Sequence, residues 1–238
     1  MHFIHCLSPD SSPPLTASSS NRKFPRQRER LVEHLRERGI HDEHVLDAIG
    51  RVPRHKFVQP AFRDRAYADE ALPIGLNQTI SQPFTVAYQT MLLDVHANDR
   101  VLEVGTGSGY QAAVLCEMDA RVFSIERHQS LLRRTRERFD ELDYRVRTMA
   151  GDGSKGWPAF APYDAIVVTA GAEEIPQPLI EQLRIPNDTY PGGRLVIPVG
   201  NGGGQRMMRL QRTGPDLDNV ETKSFDTFRF VPLVRSDR

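Results

Sequence analysis

The stretch VLEVGTGSGYQAAVL, residues 101–115, constrains this chain more than any other. A short apolar run of buried-strand character passes straight into Gly105, Gly107 and Gly109, and an apolar helical run follows. That order is the strand–turn–helix unit of an α/β sheet. Its turn lies at the carboxyl ends of the strands, where ligands bind. Glycines there let the backbone approach a ligand and adopt positive φ. The next strand, ARVFSIER, carries Glu126 near its end, the place from which a carboxylate takes the hydroxyls of an adenosine ribose.

A nicotinamide dinucleotide would use the same features, but two residues speak against it. Tyr110 stands where the dinucleotide pattern wants another Gly or Ala. Glu103 lies inside the strand just ahead of the glycines, where a carboxylate repels a pyrophosphate. It suits instead a ligand with an amino group and a positive sulfonium, which describes S-adenosylmethionine. The loop residues expected around such a cofactor are Gly105, Thr106, Gly107, Ser108 and Gly109. AGDG, residues 150–153, adds a third element: Asp152, beside Gly153, can accept from the exocyclic amine of adenine. Asp-Gly is also an ordinary turn, and the two readings stand side by side.

From Phe84 onward strands and helices alternate, which predicts an α/β fold with a doubly wound, mainly parallel sheet covered on both faces. QRMMRLQRT and ETKSFDTFRFVPLV follow one another without a helix, so antiparallel strands are expected at the C-terminal edge. Ahead of this core, RQRERLVEHLRERG and DEHVLDAIGRV predict an N-terminal helical extension. The first helix has Leu31, Val32 and Leu35 on one face and stops at Gly39; the second is capped by Asp42 and broken by Pro53. Residues 55–75 mix aromatic and polar side chains and are expected to be irregular. The Ser/Pro-rich residues 1–25 have little to bury and read as a disordered tail, leaving a single domain over 26–238.

LNQTISQP, residues 76–83, is crowded with hydroxyls and amides yet has no acid, base or thiol. Read locally, Ser81 is the N-cap of the helix beginning near Pro83, whose first amides would face an anion.

Several blocks together resemble the protein-L-isoaspartate O-methyltransferase family: LRERGI…VLDAIGRVPRHKFV (35–58), ALPIGLNQTISQP (71–83), VLEVGTGSGYQAAVL, YDAIVVTAGAEEIPQPLIEQL (163–183), GGRLVIPVG (192–200) and RFVPLV (229–234). The glycine loop is common to many methyltransferases, whereas TISQP and VPRHKFV are far more specific. The resemblance covers 26–238 and divides it into a helical and acceptor-site segment, 26–83, and a cofactor-binding core, 84–238. It implies transfer of the methyl of S-adenosylmethionine to the free α-carboxyl of L-isoaspartyl residues in damaged peptides and proteins. The ester then collapses to a succinimide that reopens partly to aspartate. Such a methyl transfer needs no acid or base, because the acceptor carboxylate is already ionised at neutral pH and the leaving thioether requires no proton, so what remains is positioning. The resemblance thus implies that Ser81 is the active-site serine, with Thr79, Ile80 and Gln82 as candidate substrate contacts, that Glu103, Gly105, Gly107 and Gly109 form the first cofactor motif, that Glu126 is the ribose acid, and that Asp152 and Gly153 are the adenine segment. IPNDTY, residues 185–190, departs from the family pattern.

The 31 basic and 31 acidic residues cancel, so neither a nucleic-acid nor a membrane partner is expected. Cys6 and Cys116 are expected to stay reduced, in keeping with a cytoplasmic location, and the resemblance implies a monomer. His34, His41, His44 and His55 lack metal-ligand spacing, and no metal is expected. His128 reads as a helix cap or a solvated side chain, Trp157 as packing, and LLRRTRERFDEL as a solvated face. A methyltransferase with another acceptor, a non-catalytic S-adenosylmethionine-binding module and, most weakly, a nicotinamide oxidoreductase are the competing readings.

Overall fold

The computed structural model describes residues 23–201 and 204–234. The expected tail over 1–22 lies outside them. Helix α1, Lys23–Glu37, begins three residues earlier than the sequence suggests, with Pro25 in its opening turn. Phe24, assigned above to the tail, stacks on His55 at 4.0 Å between centroids and so belongs to the folded body. Leu31 and Leu35 are buried as their spacing predicts, and Gly39 (φ +96°) ends the turn. In α2, Glu43–Arg51, Asp42 caps by accepting from the amides of His44 and Val45 at 2.9 and 3.3 Å.

Part of the segment expected to be irregular is ordered. Strands β1, Leu72–Gly75, and β2, Gln78–Ile80, form an antiparallel hairpin across Leu76 and Asn77, both at positive φ. That geometry belongs to a tight two-residue turn, normally signalled by Asn-Gly or Asp-Gly. Leu-Asn and three- to four-residue strands carry too weak a signal to show in the sequence.

After α3, Pro83–Leu93, the chain builds β3, Arg100–Val104; α4, Tyr110–Glu117; β4, Arg121–Glu126; α5, Gln129–Glu141; and β5, Arg147–Ala150. It then crosses back to β6, Ala165–Val168, and continues through α6, Gln177–Glu181, and β7, Arg194–Val199. Strands β8, Gln205–Arg212, and β9, Val220–Phe228, finish the seven-stranded sheet, ordered β5-β4-β3-β6-β7-β8-β9. The first five are parallel and the last two pairings antiparallel, as expected. The winding direction reverses between β3 and β6, and a crevice opens at such a border beyond the strand ends.

The central strands are apolar on both faces because helices cover both. Val101, Ala165, Val167 and Val196 face the layer holding α1 to α5, and the N-terminal helices join this same core through Leu35, Val45 and Leu46. Leu102, Val104, Ile166, Val168 and Ile197 face the other layer, with Tyr163, Leu179 and Leu183. Trp157 packs edge-on to Phe123 and Phe160, as expected. Residues 185–190 form a turn around Asn187 near the amino ends of the strands, away from the crevice. Contrary to expectation, the last strand does not run on to Val234. The chain leaves the sheet after Phe228 and folds over the crevice, where the amide of Gly171 donates to Val231 O at 2.8 Å and that of Leu233 to Gly171 O at 2.7 Å. Among the described residues, no helix is long and apolar enough to cross a membrane.

Helix α4 can lie this close to α5 only because Gly109 (φ +88°) has no side chain: a Cβ there would sit 2.6 Å from Phe139 Cε1 and 2.7 Å from Thr135 Cγ2. Gly109→Ala should destabilise the fold by about 2 kcal/mol or more, through backbone strain and overpacking. Urea unfolding measures this, and an unchanged midpoint would contradict the close approach.

Candidate active site

The glycine loop is held rigid by its neighbours. The amides of Gly105 and Thr106 donate to Ile125 O at 2.8 and 3.2 Å, and that of Gly109 to Thr106 O at 2.8 Å. The remaining carbonyls are also taken: Gly105 O by the Thr169 hydroxyl at 2.8 Å, Gly107 O by Thr135 Oγ1 at 2.7 Å, and Ser108 O by Arg138 Nη1 at 2.9 Å. Glu126 completes the cradle. Its two carboxylate oxygens accept from the amides of Gly107 and His128, each at 2.8 Å.

Thr79, Ile80, Ser81, Glu103, Gly105, Thr106, Gly107, Ser108, Glu126 and Gly153 all line one pocket at the β3–β6 crevice. The hydroxyl of Thr106 is spent on Ser124 Oγ at 2.6 Å, so this residue offers the pocket its backbone and methyl group. Three expected site residues stand elsewhere. Gly109 is absent from the pocket wall, and its missing side chain serves helix packing. Asp152 lies just beyond Gly153, where its Oδ1 accepts from the amide and hydroxyl of Ser154 at 3.0 and 2.7 Å. The turn reading of Asp152 therefore describes this oxygen. Gln82 faces a second cleft, of about 790 Å³, and donates to Asp69 O and Oδ2 at 3.0 and 3.1 Å.

The helix-cap expectation for Ser81 is corrected. Gln82 occupies the cap position of α3 and makes no side-chain cap bond. Asp69 does the capping from a distance, accepting the amide of Phe84 at 2.8 Å, so this amide is not left facing an acceptor anion. Ser81 instead lies where the two cavities meet. Thr79, Ser81, Thr169 and Val231 line both, and none of the four titrates. The second cleft also contains Arg38, Phe84, Asp226, Phe228, Arg229 and Phe230.

Glu103 is completely buried, and its Oε2 accepts from the Ser124 hydroxyl. Its Oε1, like Oε1 of the pocket residue Gln111, has no hydrogen-bond partner among the described residues. Burial, reinforced by the charge of Glu126, pushes the Glu103 carboxyl up to about 8. Two buried, unpaired acceptors in one wall fit a ligand ammonium. Gln111, Thr169, Ala170 and residues 231–234 escaped the sequence reading of the site. Thr169 was open to the strand-end rule that found Glu126, since it directly follows β6. His128 contributes its amide to Glu126 and lines the pocket, without a side-chain cap bond.

A Rossmann-like sheet with a glycine loop, two acids and a pocket at its switch point defines the class as an S-adenosylmethionine-dependent methyltransferase fold. The sequence model of the family "Protein-L-isoaspartate(D-aspartate) O-methyltransferase (PCMT)" matches residues 26–238, and the chain belongs to that family. A protein-L-isoaspartate O-methyltransferase from Salinibacter ruber is 69% identical over 92% of this chain and 96% of its own. One from Pseudomonas aeruginosa PAO1 is 52% identical over 88% and 96%. A solved protein-L-isoaspartate O-methyltransferase superposes with a TM-score of 0.74 at 28% identity, over 86% of this chain and only 65% of its own. A Plasmodium falciparum structure described as a complex with S-adenosyl-L-homocysteine shares the fold, with a TM-score of 0.73 at 24% identity over 88% and 99%.

A ligand ammonium favours ionised Glu103, and below pH 8 that ionisation must release a proton. S-adenosylhomocysteine should therefore bind more tightly as pH rises from 6.5 to 8, by up to about tenfold per unit. Glu103→Gln should flatten the profile. Calorimetry in buffers of different ionisation enthalpy measures both affinity and proton release; a flat wild-type profile would contradict contact between Glu103 and the ammonium.

Proposed function

We propose that this chain transfers the methyl group of S-adenosylmethionine to the free α-carboxylate of L-isoaspartyl residues in peptides and proteins, starting their repair through a succinimide. The observation that carries this is the junction itself: two cavities meet at hydroxyl and apolar residues, with no acid or base among them. Glu126 would take the ribose hydroxyls, Glu103 and Gln111 the ammonium, Gly105 to Ser108 the body of the cofactor, and Gly153 with Asp152 the adenine side. When bound, the cofactor supplies an electrophilic methyl group and leaves as a neutral thioether.

The residues of the junction then have one task, holding the acceptor carboxylate in line without protonating it. Ser81 and Thr79 offer hydroxyls at the meeting point, and Ile80, fully buried behind them, fixes their strand. Gln82, braced on Asp69, and the arginines Arg38 and Arg229 border the cleft from which an acceptor peptide would arrive. Alignment of this kind is worth on the order of 7–11 kcal/mol of barrier. Val231 and Leu233, folded over the crevice, would keep water from the reacting pair. Action as a monomer in the cytoplasm is part of the same proposal, as is the absence of a nucleic-acid partner, which the balance of 31 basic and 31 acidic residues supports.

With labelled S-adenosylmethionine, matched isoaspartyl and aspartyl peptides should separate cleanly, with base-labile label on the isoaspartyl peptide alone. Label on neither peptide would refute the proposed activity. Ser81→Ala should cut turnover by roughly 10- to 100-fold while leaving S-adenosylhomocysteine affinity near wild type. Wild-type turnover in that variant would remove Ser81 from the mechanism.

A further inference from the structure

The block VPRHKFV, residues 52–58, is distinctive in the sequence yet contributes no residue to either cavity of the junction. Its Arg54 is 0% exposed. The guanidinium is held by main-chain carbonyls from separate stretches: Nε donates to Ala66 O at 2.8 Å, and Nη2 to Ser81 O at 2.8 Å and Glu70 O at 3.4 Å. Its central carbon also stands 4.6 Å from the ring centroid of Tyr110, the first residue of the helix that follows the glycine loop. One planar side chain thus links the acceptor segment, through the backbone of Ser81, to the cofactor side. A cation is a costly way to fill a core, because an apolar side chain of similar length fills it without desolvating a charge.

We propose that Arg54 is a positioning residue for methyl transfer: it fixes the Ser81 segment against the glycine-loop helix and so sets the approach of the acceptor to the methyl donor. The proposal rests on the reading of the Ser81 segment as the orienting group. Arginine suits the task because its rigid fork restrains carbonyls of separate stretches at once, which a lysine ammonium on a flexible stem does not. Tyr110 supplies the flat face against which the fork lies, giving a second use to the residue that departs from the dinucleotide pattern.

The test compares R54M, R54K, S81A and the R54M/S81A double variant. For each, kcat on an isoaspartyl peptide, affinity for S-adenosylhomocysteine and the melting temperature are measured. R54M should lower kcat on the order of 100-fold, the scale of a misplacement of about 1 Å between reacting groups. Its S-adenosylhomocysteine affinity should stay within about threefold of wild type, well under one decade of binding constant. In the S81A background R54M should add far less than its own single effect, because both act on one alignment. R54K should fall between R54M and wild type. Wild-type kcat in R54M, a parallel loss of S-adenosylhomocysteine affinity, or fully multiplicative losses in the double variant would overturn the proposal. Wild-type turnover in S81A would remove the hydroxyl's role alone, and R54M would then be decided by its own kcat and ligand affinity. If R54M does not melt cooperatively, R54Q carries the same three measurements.

Discussion

The Glu126 carboxylate, accepting the amides of Gly107 and His128, is the interaction on which the rest of the site depends. It ties the end of one parallel strand to the loop that leaves its neighbour. That sets the glycine loop in place and gives the next helix its starting direction. Thr169 does the same from the other flank, donating to Gly105 O. The loop is therefore braced from both adjacent strands by bonds internal to the protein. A ligand entering such a cradle meets groups already oriented, and less ordering entropy opposes its binding.

Both ends of the crevice carry mixed charge. Glu103 and Glu126 lie at the end proposed for the cationic cofactor, with Arg127 in the same wall. Arg38 and Arg229 border the cleft proposed for an anionic acceptor, with Asp226 in the same wall. Between them the four shared residues carry no ionisable group. An acid at that point would compete with the acceptor carboxylate for the methyl group, and a cation in contact would blunt its nucleophilicity. The hairpin of β1 and β2 delivers two of these four, Thr79 and Ser81. Its Ile74 packs over the loop, with Cδ1 3.6 Å from where a Cβ on Gly107 would lie, and its second strand leads directly into Ser81.

The sheet, its parallel core and its antiparallel edge were legible because strongly apolar runs alternate with helical segments, as in YDAIVVTAGA before IPQPLIEQL. That Glu103, Gly105, Gly107 and Glu126 line the crevice was legible because they lie at or beside the carboxyl ends of strands; that Gly109 serves helix packing was not. Three further features were not legible. The hairpin is short and turns on Leu76-Asn77, which carries little turn signal. The capping of α3 by Asp69 joins residues far apart in sequence, so Ser81 read locally as a cap. The fold-back after Phe228 is specified by bonds to Gly171 and Gln205, and RFVPLV looks like any strand until those partners are known. In each case the deciding interaction is tertiary, and local pattern cannot display it.

The central claim is that the junction transfers a methyl group without an acid or base of its own. The most direct measurement is the single-turnover rate of methyl transfer to an isoaspartyl peptide, at saturating S-adenosylmethionine, against pH and in heavy water. The rate should be flat from about pH 6 to 8.5, well above a carboxylate pKa near 4, with a solvent isotope effect close to one. A rate climbing toward tenfold per pH unit in that range, with a solvent isotope effect of roughly 2 or more, would show a proton in flight and contradict the claim.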